Sequence, residues 1–174
     1  MKKGAFRNFI PDYKFKKIID IGSDFFSGAQ LIIFDVDNTL VFSEGPEGYP
    51  ETKKEVLDWF NRVNSRYKCI CLSNNRTIFK REKQISELLN CDVFLSRHKK
   101  PFKKLFEEIK TKYNLEGGKV FVVGDRIFTD ILFGNLNGAV TVLVKPLSKK
   151  ENIFIKIIRI LENSVLFLAN LVYT

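Results

Sequence analysis

Behind four apolar runs of this chain stand residues whose types suit acid–base and ion chemistry. "QLIIFDVDNTLVF" (30–42) carries Asp35 and Asp37, with Thr39 just beyond them. "KCICLSNN" ends in Ser73 and Asn74, "SRHKKP" holds Lys99 and Lys100, and "VVGDRIFTD" contains Asp125 and Asp130. Two carboxylates two residues apart on an extended chain project to the same side, so they repel each other and desolvate together. Four carboxylates gathered at one place are unstable unless they share a cation. Oxygen ligands without His or Cys favour Mg2+, which keeps waters that a phosphate can replace. A magnesium ion and a lysine, joined by a hydroxyl and backbone amides, make a cradle for a phosphoryl group. One carboxylate can then attack phosphorus, and a second can donate a proton to the leaving oxygen and later activate water.

Such a site needs elements that bring those positions together. The predicted strands are Leu31–Val36, Tyr67–Leu72, Asp92–Leu95, Lys119–Val123 and Val140–Val144. Between them lie the predicted helices Glu51–Arg66, Thr77–Leu89, Pro101–Tyr113 and Phe128–Leu136. Pro101 suits a helix start, and Phe102, Leu105, Phe106 and Ile109 recur at helical spacing. The alternation predicts βαβ units: an α/β, Rossmann-like parallel sheet with helices on both faces. In such sheets chemistry collects outside the carboxyl ends of the strands, where every polar group above would fall.

Bulk properties agree with one globular domain over 1–174. The predicted core spans about 30–145, a basic and aromatic lead-in covers 1–29, and an amphipathic helix covers about 151–172. Apolar content of 45% and charged content of 28% exclude a disordered chain. A net charge of +9 favours anionic partners: nucleic acid, an anionic membrane or a phosphorylated substrate. Cys69 and Cys71 have neither a redox nor a zinc spacing and read as buried strand residues. The expected compartment is therefore reducing and intracellular. The N-terminus has no apolar signal core, and no stretch approaches the length of a transmembrane helix. His98, the single histidine, reads as a surface-loop residue.

Taken singly, Asp37–Asn38–Thr39 or Gly124–Asp125 is equally a plain turn, and Lys99–Lys100 a solvated face. The ordered set is more specific. DxDxT at Asp35–Thr39, Ser73 after a strand, Lys100 before a proline and GDxxxxD at Asp125 and Asp130 resemble the four motifs of the haloacid dehalogenase superfamily. The resemblance implies Asp35 as nucleophile, Asp37 as general acid/base, and Ser73, Asn74 and Lys100 as phosphate-binding residues. It implies Mg2+ held by Asp35, the Asp37 carbonyl and Asp125, with Asp130 and Thr39 in support. Dehalogenases of the superfamily lack the second aspartate, so Asp37 argues for a phosphatase.

The places where superfamily members insert a cap hold only a short loop and one helix–strand unit. The expected cleft is therefore open, suited to a phosphate on a large substrate. "FDVDNTLV", "LSNN", "RHKKPF" and the stretch from "VVGDRIFTD" to "KPLS" resemble the branch of YqeG-type phosphatases and of mitochondrial and plastid phosphatidylglycerophosphatases. That branch implies removal of the terminal phosphate of phosphatidylglycerophosphate, an anionic phospholipid, at a membrane surface in the cytoplasm or an organelle matrix. Leu136 departs from it, since many bacterial relatives have a basic residue there. The alternatives are another large substrate, a nucleic acid end or phosphoprotein, or a non-catalytic scaffold. The tail, with Lys156, Arg159 and Asn163 as a polar stripe, suits an interfacial helix, but a helix packed on the sheet or a dimer seam is the first expectation.

Overall fold

The computed structural model describes residues 5–42, 49–75, 77–148 and 153–173. Its sheet is wholly parallel, in the order β1-β6-β5-β2-β3-β4. The strands are β1 (Tyr13–Phe15), β2 (Ala29–Asp35), β3 (Cys69–Leu72), β4 (Asp92–Val93), β5 (Lys119–Gly124) and β6 (Val140–Val144). From β2 the chain winds outward through β3 and β4, then returns to β5 on the other side. The switch point therefore lies between β2 and β5, where a crevice opens at the strand ends.

The apolar run of β2 serves two layers. Ile32 and Phe34 face a core closed by α1 (Lys54–Asn64) and α2 (Ile78–Leu89). Leu31 and Ile33 face a second core closed by α3 (Lys103–Tyr113) and α4 (Leu132–Leu136). A strand with no polar face is what two covered sides require. In α1 the buried residues Val56, Trp59, Phe60 and Val63 repeat at helical spacing. Asn90 and Asn114 take the left-handed conformation that stops α2 and α3. Among the described residues no inserted domain separates these elements, as expected of a capless chain.

The predicted elements are all present, with shifted ends. Helix α3 begins at Lys103 rather than Pro101, and Phe128–Leu136 becomes a π-helical turn, Ile127–Ile131, followed by α4. The lead-in is the larger difference. It supplies the edge strand β1, pairing Tyr13 with Val142, and it buries Ile18, Ile21 and Phe26 in the core. Asp12 locks that edge through both the amide and the hydroxyl of Thr141, at 2.8 and 2.9 Å. Three residues carry too little periodicity to be read as a strand.

All three cysteines are free and buried. His98 is half-exposed, 3.6 Å from Glu108, and takes no part in the site. Phe60 is fully buried against Phe34, with ring centroids 5.2 Å apart. Phe60→Ala is expected to destabilise the fold by about 3–5 kcal/mol. A urea midpoint within experimental error of the parent would refute that placement.

Candidate active site

Strand β2 ends at Asp35 and the chain turns at once. The amides of Leu40 and Val41 return to the Val36 carbonyl at 2.9 and 3.0 Å. Asn38 adopts φ 63°, a conformation that Asn tolerates better than most residues. Thr39 then points back, its hydroxyl donating to Asp35 Oδ2 at 3.1 Å and to Asp125 Oδ1 at 3.5 Å. The DxDxT spacing thus becomes a turn that carries its own brace.

The centre of the site is the Lys100 ammonium. It donates to Asp35 Oδ1 and Asp130 Oδ1, both at 2.6 Å, and to the Leu72 carbonyl at 3.2 Å. All three protons are used, and the side chain is only 2% exposed. Asn74 clasps the backbone of Lys100 from both sides: its amide donates to the Lys100 carbonyl and its oxygen accepts from the Lys100 amide, each at 2.8 Å. Asn74 therefore positions the lysine. Gly124 matters here because a Cβ on it would collide with the Asp130 carboxyl. Asp130 Oδ2 also accepts from the Arg126 amide at 3.0 Å.

Asp35, Asp125 and Asp130 each offer an oxygen, and these atoms lie within 4.8 Å of one another. Burial pushes Asp35 well above the ordinary carboxylate range; Lys100 opposes the rise, and Asp130 and Asp125 add to it. Burial also raises Asp125, to about 6, with Arg159 opposing and Asp130 reinforcing. Burial by itself would lower Lys100, but Asp130 and Asp35 hold it above its usual value. The acids outnumber the ammonium, so the cluster has room for more positive charge. An all-oxygen donor set of this kind fits Mg2+.

Asp37 departs from its expected surroundings. Its carboxylate does not share the Lys100 cluster but accepts from Arg81 at 2.9 Å and from the Ser73 hydroxyl at 2.8 Å. Two aspartates on one strand end tolerate each other because each has its own cation. Ser73 is held in turn by the Asn75 amide at 3.0 Å.

The outer edge of the site is closed by α5 (Ile153–Tyr173), the amphipathic tail. Arg159 donates to the carboxylate of Asp125 and, at 2.9 Å, to its carbonyl. One turn on, Glu162 accepts from Arg126 at 3.1 and 3.2 Å and from the Phe128 amide at 3.0 Å. Sequence reasoning reached Arg159 only as part of a polar stripe, and missed Arg81, Arg126 and Glu162 altogether. Arg126 lies at an unspecified position of the GDxxxxD stretch, and no motif marks the others. The one signal was polar residues on an otherwise apolar helix.

Of the two packing roles expected for α5, the sheet-packed helix is not what the structure shows. Its described residues are buried only at Glu162 and Ala169, while Phe154, Ile160, Phe167, Leu171 and Val172 are 64–72% exposed. The helix is tethered by ion pairs, with Ala169 buried beneath it, and most of its large apolar side chains face outward. No helix among the described residues is long and apolar enough to cross a membrane.

The sheet order and covered faces define a Rossmann-like α/β protein. A crystal structure of an uncharacterized protein from Listeria monocytogenes serotype 4b shares that fold, with a TM-score of 0.50 and 16% identity over 70% of this chain and 84% of that one. Residues 5–147 match the family model described as mitochondrial PGP phosphatase, and the chain belongs to that family of phosphatases. It is 31% identical to "Probable phosphatase YqeG" of Bacillus subtilis over 91% of this chain and 90% of the relative. It is 30% identical to "Phosphatidylglycerophosphate phosphatase 1, chloroplastic/mitochondrial" of Arabidopsis thaliana over 74% of this chain, which spans 38% of that longer protein.

Removing the ammonium isolates two buried carboxylates. Lys100→Met is expected to destabilise the fold by about 3–5 kcal/mol. Adding Asp130→Asn should cost less than the sum of the two single changes, because the residues share one network. Strict additivity in denaturant titrations would contradict the shared network.

Proposed function

We propose that this phosphatase is a Mg2+-dependent enzyme of the haloacid dehalogenase type that removes the terminal phosphate of phosphatidylglycerophosphate, working as a peripheral protein at a membrane surface. The observation that carries the reading is the Lys100 bridge between Asp35 and Asp130, with Asp125 alongside and Asp37 held separately by Ser73 and Arg81. A pure phosphate binder needs a cation; it has no use for a second aspartate set apart from the cluster.

Asp35, Asp125 and the Asp37 carbonyl would hold the metal, with Asp130 behind them. Bound there, Mg2+ would offset the charge on the transferring phosphoryl group. Asp35 attacks phosphorus and the bond to the glycerol oxygen breaks, leaving an aspartyl-phosphate on Asp35. Asp37, once protonated, gives that proton to the departing oxygen, so the alcohol leaves neutral. Asp37 then takes a proton from water as that water attacks phosphorus, releasing phosphate and restoring Asp35. Lys100 stays charged throughout and orients the nucleophile while Ser73 steadies a phosphoryl oxygen. Thr39 keeps Asp35 and Asp125 in register.

Membrane placement is supported by the outward apolar side of α5 and by the lysines of the lead-in, Lys14, Lys16 and Lys17. Each basic residue near an anionic surface contributes about 1 kcal/mol, and the apolar side chains enter the headgroup layer.

Asp35→Asn should abolish phosphate release while the circular dichroism spectrum stays native, and Asp37→Asn should slow release by roughly 10²–10⁴-fold. Chelation should stop the reaction and Mg2+ restore it; turnover indifferent to chelator would sink the metal assignment. A release panel decides the substrate by comparing phosphatidylglycerophosphate micelles, a 3′-phosphorylated oligonucleotide, a phosphopeptide and a small soluble ester. Faster release from the oligonucleotide or phosphopeptide than from the lipid overturns the lipid reading.

A further inference from the structure

A cavity of about 290 Å3 opens beside Asp125, between the ends of β1 and β6 and the inner side of α5. Its charged lining is Lys14, Lys145, Arg159, Asp125 and Glu162. The two acids are already matched, Asp125 by Arg159 and Glu162 by Arg126. Lys14 and Lys145 have no ion-pair partner among the described residues. The lining therefore carries a net positive charge, with Lys14 and Lys145 as its unmatched cations, and a concave site with apolar walls such as Phe15 and Val144 focuses that field on an anion. The basic rim continues beyond it, since Lys145 also lines an adjoining cavity with Lys16, Lys17 and Lys53.

Asp125 belongs both to the acidic cluster and to this cavity. Whatever anion occupies the cavity is thus a neighbour of the phosphoryl group being removed. We infer that the cavity receives the second, phosphodiester phosphate of the lipid headgroup, with Lys14 and Lys145 as the residues that select for it. The inference rests on the function proposed above, in which the substrate carries a monoester and a diester phosphate one glycerol apart. A polynucleotide also carries diesters, but the helix bordering the cavity turns Ile160, Leu161 and Phe154 to the outside. That apolar surface offers nothing to a chain charged at every step, whereas acyl chains leaving a diester would lie against it. Specificity for this headgroup then comes from the ends of β1 and β6, across the sheet from β3, which Ser73 follows.

The test uses soluble substrates, so that micelle binding does not enter. The deacylated headgroup, glycerophosphoglycerophosphate, carries both phosphates; glycerol 3-phosphate carries only the monoester. For the full-length Lys14→Gln/Lys145→Gln variant the ratio of kcat/KM for the first substrate to the second is expected to fall about tenfold or more, through KM, with Lys14→Arg/Lys145→Arg restoring most of it. In parallel, glycerophosphoglycerol, the diester alone, is titrated by NMR: the parent chain should bind it and the Gln variant should not. An unchanged ratio, or a parent chain that ignores the diester, overturns the cavity assignment. A KM that rises instead for a 3′-phosphorylated oligonucleotide gives the cavity to nucleic acid and overturns it as well. A parent chain that binds the diester yet releases no phosphate from phosphatidylglycerophosphate refutes the proposed substrate while leaving the diester site standing.

Discussion

One buried ammonium holds this site together. Lys100 lies between Asp35 and Asp130 with its third proton on a strand carbonyl, and almost none of it reaches water. Taking such ions out of water costs several kcal/mol each, and only near-perfect geometry and filled hydrogen bonds offset that. Much of the surrounding structure can be understood as meeting this condition. Asn74 fixes the lysine backbone from two sides, Thr39 occupies the free oxygen of Asp35, and Gly124 leaves room for the Asp130 carboxyl.

The remaining acids are neutralised from different directions. Asp37 is held from α2 by Arg81, and Asp125 from α5 by Arg159. Partition of this kind lets two carboxylates of one strand end stand side by side, because neither depends on the other's counter-charge. It also ties the tail helix to the chemistry. A helix joined to the site by Arg159 and Glu162 cannot shift without disturbing the charge balance at Asp125.

The tail inverts the usual logic of an amphipathic helix. Arg159 and Glu162 grip the protein while most of its large apolar side chains stay in the open. An aqueous surface of that kind is costly for a lone soluble domain, which supports a bilayer as its proposed surroundings. The lysine-lined cavity beneath it carries the same implication, an anion meeting positive charge next to apolar side chains.

How much of this was legible beforehand divides along a physical line. Apolar runs, turn-forming residues and helical spacing are local properties, so the α/β alternation and the strand-end positions of Asp35, Ser73, Lys100 and Asp125 could be read from the chain itself. Those positions converge by the topology of parallel sheets, which also follows from the alternation. Partners brought in from afar could not be read. Arg81 meets Asp37 across 44 positions, Arg159 meets Asp125 across 34, and Asp12 meets Thr141 across 129. An amphipathic pattern is the same whether its apolar side is buried or bare, so the orientation of α5 was likewise undetermined. Side chains pair through space, and only the packed fold decided which cation reached which acid.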